Sequence, residues 1–226
     1  MSERVAIVVG AGGELGRATA KALADAGYTV VGVDRSEQGL KELPDGIRRE
    51  VGDATEPVTA RSLIDRIAAV AGPPEVLVNT VGTFRLGEAV SATPEDLKVL
   101  MDVNLGTALW LSQAVEPYMR QGGKGSIVHV SARPATDPTA GMVAYSLSKA
   151  ALSHLIRILD LEFHPHGIRV NAVAPQLIDT AANRATFPAE LLTHAVRPEA
   201  VANVIAFLAG DLAVPISGAI VPAYGA

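Results

Sequence analysis

Short apolar runs and longer amphipathic stretches alternate along the chain. Val5-Ala6-Ile7-Val8-Val9, Val76-Leu77-Val78 and the stretches 28–33, 47–51, 126–131, 168–174 and 216–221 are of strand length and rich in β-branched or other apolar residues. Between them the spacing turns helical at 17–26, about 57–71, 102–119, 145–163 and 199–209, with Thr93-Pro94-Glu95-Asp96 opening one further helix. Strands alternating with helices predict a parallel sheet of about seven strands, doubly wound, with right-handed crossovers and helices on both faces. Ligands of such sheets bind beyond the carboxyl ends of the strands. Gly10, Asp34, Asp53, Asn79 and Ser131 all fall at strand ends and should gather on one edge.

The first strand end carries Gly10, Gly12, Gly13 and Gly16, followed by a helical pattern. Strand, glycine turn and helix are what a phosphate cradle needs: a tight turn, close backbone approach, and a pyrophosphate set against the amides of a helix N-terminus. Asp34 closes the second strand and can accept hydrogen bonds from both ribose hydroxyls of an adenosine while repelling a 2′-phosphate. That favours NAD(H); Arg35 beside it leaves NADP(H) open. Tyr145 and Lys149 lie four apart in a helical stretch and therefore share a face. An ammonium there favours the phenolate, lowers the tyrosine's affinity for its proton, and makes Tyr145 a proton donor to a carbonyl or an acceptor from an alcohol.

Composition narrows the partners. The 226 residues are 49% hydrophobic and 19% charged, enough to bury one large core, and the chain is read as a single domain over 1–226. With no cysteine, disulfides and thiolate catalysis are excluded. A net charge of −5 argues against nucleic-acid partners. Met1-Ser2-Glu3-Arg4 leads into an apolar stretch too short for a signal segment, and no apolar run reaches membrane-spanning length, so a cytoplasmic protein is expected. The five histidines show no metal-ligand spacing, and no metal is expected. The 102–119 helix is apolar on nearly every side, which buries it either in a subunit interface or within the domain.

Taken together these motifs resemble, in order and spacing, the short-chain dehydrogenase/reductase family over nearly the whole chain. The resemblance rests on the glycine turn, Asp34, Asp53-Ala54-Thr55, Asn79-Thr80-Val81-Gly82, Asn104, Tyr145, Lys149, and the stretches 169–175 and 178–180. It implies a Rossmann-type fold and an NAD(P)H-dependent oxidoreductase of a small carbonyl or quinonoid substrate. Tyr145 would be the proton donor, Lys149 would lower its pKa and hold the nicotinamide ribose, and Asn104 would hold a water relaying protons to Lys149. Gly10, Gly12, Gly13, Leu15, Gly16, Asp34, Arg35, Asp53, Ala54, Asn79, Val81, Gly82, Pro175, Ile178 and Thr180 would line the cofactor, with Tyr145 and Lys149. A homodimer or homotetramer, packed through the 102–119 and 145–163 helices, is implied as well.

Three departures from the family pattern bear on function. The family serine that bonds the substrate oxygen lies 13 residues before the tyrosine, and here that residue is Ala132. Ser131 beside it should face the other way on a strand; Ser131 and Arg133 are the residues left to contact substrate. Glu14 stands at the middle glycine of the turn and is expected to point outward. The lid, about 180–197, is short and should leave an open site. Quinonoid dihydropteridine reductases share the alanine and a non-glycine turn residue, which makes a pterin an alternative substrate. Little or no catalysis beyond nucleotide binding is a second alternative.

Overall fold

The computed structural model describes residues 4–225; Met1 to Glu3, on which part of the leader expectation rests, lie outside them. The elements run β1 (Val5–Val9), α1 (Glu14–Asp25), β2 (Thr29–Asp34), α2 (Glu37–Leu40), β3 (Arg48–Val51), α3 (Pro57–Ala71) and β4 (Pro74–Asn79). They continue with α4 (Pro94–Met101), α5 (Thr107–Gly122), β5 (Gly125–Val130), α6 (Val143–Phe163), β6 (Ile168–Pro175), α7 (Ala181–Thr186), α8 (Ala189–Leu192), α9 (Pro198–Ala209) and β7 (Ile220–Ala223). All seven strands are parallel, in the order β3-β2-β1-β4-β5-β6-β7. The chain crosses from β1 outward in one direction and then, after β3, in the other. That reversal opens a crevice between β1 and β4.

The period of two along the strands builds the core on both faces. Ile7, Val31, Leu77, Ile127 and Val170 face α3, α5 and α6, whereas Ala6, Val8, Val30, Val78, Val128 and Val173 face the opposite layer with Leu23 of α1 and Ile205 and Leu208 of α9. The apolar character of α5 is consumed mainly by this core: Leu111, Ala114, Val115 and Met119 are buried there. Among the exposed apolar side chains, Leu147, Ile158 and Leu161 share α6.

Two elements differ from expectation. The last strand is Ile220–Ala223 rather than 216–221. Residues 216–219 turn instead: Gly218 N–H still donates to the Val170 carbonyl at 2.8 Å and the Ala219 carbonyl still accepts from Ala172 N–H at 2.8 Å, while the Asn171 side chain adds a bond to the Ile216 carbonyl at 3.0 Å and accepts from Ala219 N–H at 3.0 Å. Gly218, at φ +70°, makes that turn. The helix expected from 102 starts as a π-helical stretch, Asp102–Gly106, in which Thr107 N–H donates to the carbonyl five residues back, that of Asp102. Such a stretch carries one residue more than an α-helical turn and recurs at functional sites.

His129 on β5 is fully buried. Its Nε2 lies 3.0 Å from Ser112 Oγ, which itself donates to the Ala108 carbonyl, so Nε2 carries the hydrogen and Nδ1 is an acceptor without a partner among the described residues. Burial, reinforced by the nearby charge of Lys149, lowers its pKa to about 3. The unfolded chain, with an ordinary histidine, then binds the extra proton first as pH falls. Stability contributed by neutral His129 is complete above about pH 6.5 and is lost at about 1.4 kcal/mol per pH unit below it, down to about pH 3. Urea midpoints measured at pH 7 and pH 4.5 should fall less on acidification in His129→Leu than in the wild type. Equal falls would show that His129 does not set the acid limit.

Candidate active site

Gly10 and Gly16 determine the turn that follows β1. Gly10 lies at φ +86°, and a Cβ there would sit 2.6 Å from Thr80 Oγ1; a Cβ on Gly16 would sit 2.1 Å from the Gly10 carbonyl oxygen. Only glycine lets α1 pack this closely on the turn. The turn is held by Gly10 N–H and Ala11 N–H donating to the Val33 carbonyl at 2.8 and 2.9 Å. Gly13 caps α1 without a side-chain hydrogen bond, so no side chain covers the amides of its first turn. Asp34 is tied into the same turn, accepting from Gly12 N–H at 3.0 Å and from Ser36 N–H at 2.9 Å.

A cleft of about 850 Å³ runs from this turn to α6. Gly10, Gly12, Gly13, Leu15 and Gly16 line one end, Val81, Gly82, Pro175, Ile178 and Thr180 the middle, and Ser131, Arg133, Tyr145 and Lys149 the other end. Asp34, Arg35, Asp53, Ala54, Asn79 and Asn104 do not line it. Asp34 and Arg35 lie at the end of β2, and Asp53 and Ala54 just after β3. Asp53 accepts from Thr55 N–H at 2.9 Å, and Ala54 is buried beneath it in the core. Asn79 is buried and shapes the strand end, accepting from Val81 N–H at 3.0 Å and donating to Thr107 Oγ1 at 3.3 Å.

Asn104 lies in the π-helical stretch. It accepts from Thr83 N–H at 2.9 Å and donates to the Thr83 carbonyl at 2.9 Å and to Ser148 Oγ at 3.0 Å. Ser148 in turn donates to the Tyr145 carbonyl at 2.8 Å. Asn104 thus locks the loop after β4 to the Tyr145 helix. A Cβ on Gly82 would lie 3.2 Å from Asn104 Oδ1 and 3.3 Å from Lys149 Nζ, so both polar groups converge on the space that this glycine leaves.

Lys149 is buried and Tyr145 half-buried, and the phenol shifts in the direction opposite to the one expected. Burial pushes the Tyr145 phenol up to about 12 and the Lys149 ammonium down to about 8. Lys149 Nζ donates to the Val130 carbonyl at 2.8 Å. Loss of water is what acts on both groups, and for the phenol it favours the protonated form, that of a proton donor.

Ser131 points away from the reacting end, as strand alternation requires: its hydroxyl pairs with Ser153 Oγ at 2.7 Å, with the Lys149 carbonyl at 3.4 Å. Its hydroxyl therefore belongs to the packing of α6, not to a substrate. Arg133 donates to Gln176 Oε1 at 2.8 Å and to Asp137 at 3.1 Å, and its guanidinium lies 5.0 Å over the Tyr224 ring. Clamped this way it forms a fixed polar wall. The opposite wall is aromatic: Phe84 stands edge-on to Tyr145 at 6.3 Å and stacks on Phe187 at 5.5 Å with 23° between the planes. Phe84 follows the glycine at the β4 end and was open to sequence reasoning; Phe187 carries no periodic signal.

Thr180 to Asn183 and Phe187 of the lid segment line the cleft. The base of the lid is a parallel bridge between Ile178 and Val196, Thr180 caps α7 by accepting from Asn183 N–H at 3.2 Å, and Phe187 brings the far end onto Phe84. Glu14, expected to point outward, is half-buried and lines the cleft, where its carboxylate accepts from Ala181 N–H at 2.8 Å in a bond open to water.

A family model of short chain dehydrogenases matches residues 4–191. The chain belongs to the short-chain dehydrogenase/reductase family. Galactitol 2-dehydrogenase of Rhizobium johnstonii is 35% identical over 235 residues, covering 96% of this chain and 91% of its own. The 3-oxoacyl-acyl-carrier-protein reductase of Escherichia coli K12 is 31% identical over 230 residues, covering 95% of this chain and 93% of its own. The solved 7α-hydroxysteroid dehydrogenase, complexed with NADH and 7-oxo glycochenodeoxycholic acid, superposes with a TM-score of 0.93 at 28% identity, over 98% of this chain and 93% of that one. Like its relatives, this short-chain dehydrogenase/reductase is an NAD(P)-dependent oxidoreductase of small-molecule substrates. The glycine cradle and the uncovered amides of α1 fit the pyrophosphate of such a dinucleotide.

Proposed function

We propose that the protein reduces a flat, conjugated carbonyl or quinonoid compound with NADH, with Tyr145 as the proton donor. The observation that carries this reading is that Tyr145, Lys149 and the glycine turn line one cleft. A reduced nicotinamide bound there supplies the hydride. Tyr145 gives its proton to the substrate oxygen, and Lys149 stabilises the phenolate left behind and holds the ribose. Asn104 positions Tyr145 through Ser148 and faces Lys149 across the space above Gly82.

The Phe84–Phe187 wall favours flat substrates over open-chain polyols, and Arg133 with Gln176 offers donors to a polar edge. Ala132 brings no donor to the substrate oxygen, so a compound already polarised by conjugation suits the site; a quinonoid pterin is one such compound. Asp34, close to the turn, favours NADH over NADPH by repelling a 2′-phosphate. We read the chain as one cytoplasmic domain that pairs into dimers or tetramers through the exposed apolar stripe of α6. A single-chain mass in light scattering would refute that pairing. The expected result of an NADH-oxidation panel is turnover with quinones and conjugated cyclic ketones above that with keto-sugars, at least tenfold lower kcat/KM with NADPH, and no turnover without substrate. A preference for keto-sugars or for NADPH would overturn the respective assignment.

A further inference from the structure

Glu14 is the one residue of the glycine turn whose side chain leaves the turn and bonds another element. As the first residue of α1 its carboxylate is placed where a helix N-terminus favours an anion. It lies instead on the first amide of α7, 167 positions along the chain, accepting from Ala181 N–H at 2.8 Å. Thr180, one residue earlier, lines the same cleft. The lid is therefore tied across the cleft at both ends of α7, by Phe187 on Phe84 and by Glu14 on Ala181. The two ties differ in what they cover. The phenylalanine pair closes the end near Tyr145, whereas Glu14 closes the end where the glycine cradle holds phosphates.

We propose that Glu14 is a positioning residue that latches the lid over the phosphate cradle and sets how fast a bound dinucleotide leaves. The inference rests on the dinucleotide reading of the cleft. Its physical rival is that the Glu14 carboxylate acts only by repelling the pyrophosphate. The two give opposite signs, because losing a latch speeds release, whereas losing a repulsion slows it and tightens binding. A glutamine keeps the acceptor oxygen and removes the charge, so it preserves a latch and abolishes a repulsion.

The experiment measures NADH release by stopped-flow fluorescence, and amide exchange at Ala181 in the protein without cofactor, for wild type, Glu14→Ala and Glu14→Gln. The latch predicts release about tenfold faster in Glu14→Ala, in keeping with the loss of one hydrogen bond open to water. Ala181 should exchange faster in the same variant, and Glu14→Gln should stay within about twofold of wild type in both readouts. Slower or unchanged release in Glu14→Ala, or unchanged exchange at Ala181, would overturn it. Because amide exchange is read without cofactor, an altered Ala181 together with wild-type protein that binds no NADH would refute the dinucleotide reading and the release role with it. Wild-type binding with an unmoved Ala181 refutes the latch alone.

Discussion

Tyr145→Phe is expected to lower turnover by about three orders of magnitude while leaving NADH affinity within about twofold. The substitution removes one hydroxyl and keeps the ring that packs edge-on against Phe84, so the fold and the cleft walls stay as they are. What is lost is the proton donor. Initial rates with the best quinone or ketone, set beside NADH titration by fluorescence, separate the two effects; an active variant would mean that another group supplies the proton. The pH profile carries a second sign. With the phenol at about 12 the donor is protonated throughout the neutral range, whereas Lys149, brought down to about 8, loses its charge above that pH. Reduction should therefore hold level in neutral solution and decline above about pH 8, as the ammonium that steadies the developing phenolate disappears.

Ala132→Ser should raise kcat with unactivated ketones by about 100-fold and change quinone reduction far less. Removing one donor to a developing oxyanion costs on the order of 100- to 1000-fold, and the new hydroxyl would supply such a donor. Ala132 is buried and lines the cleft on extended backbone, at φ −161° and ψ 156°, a conformation that serine adopts without strain. Neighbouring Ser131 cannot serve, because its hydroxyl is spent on Ser153 and the Lys149 carbonyl. A ketone-selective gain in steady-state rates is the mark of a restored oxyanion donor. No gain would show that the clamped Arg133, or a backbone group, already fills the role.

Much of this architecture was legible in the chain. Apolar runs of strand length gave the parallel sheet, since period-two burial on both faces leaves no other pattern. Gly10 and Gly16 were readable because close backbone approach excludes every side chain. The opposite facing of Ser131 and Ala132 followed from strand alternation alone. What was hidden depended on contacts between distant segments. The direction of the Tyr145 shift hinges on how completely water is excluded, which spacing along a helix does not encode. Glu14 meets Ala181 only once the lid has folded back, and Phe187 meets Phe84 for the same reason. The final strand starts late because Gly218 turns the chain at φ +70° and the Asn171 side chain, distant in sequence, bonds both sides of that turn.

The π-helical stretch Asp102–Gly106 has a bearing on how this scaffold tolerates change. One extra residue in a helical turn rotates everything beyond it by about 100° relative to an unbroken α-helix. Upstream, that offset lets α4 keep its own buried face on Leu100; downstream, it lets Leu111, Val115 and Met119 of α5 reach the core. Asn104 sits at the join, turned toward Thr83 and Ser148. A single-residue deletion here would tidy the helix and misalign either the core or the asparagine. Segments exchanged between homologous scaffolds must therefore carry the whole 94–122 stretch as one inherited block.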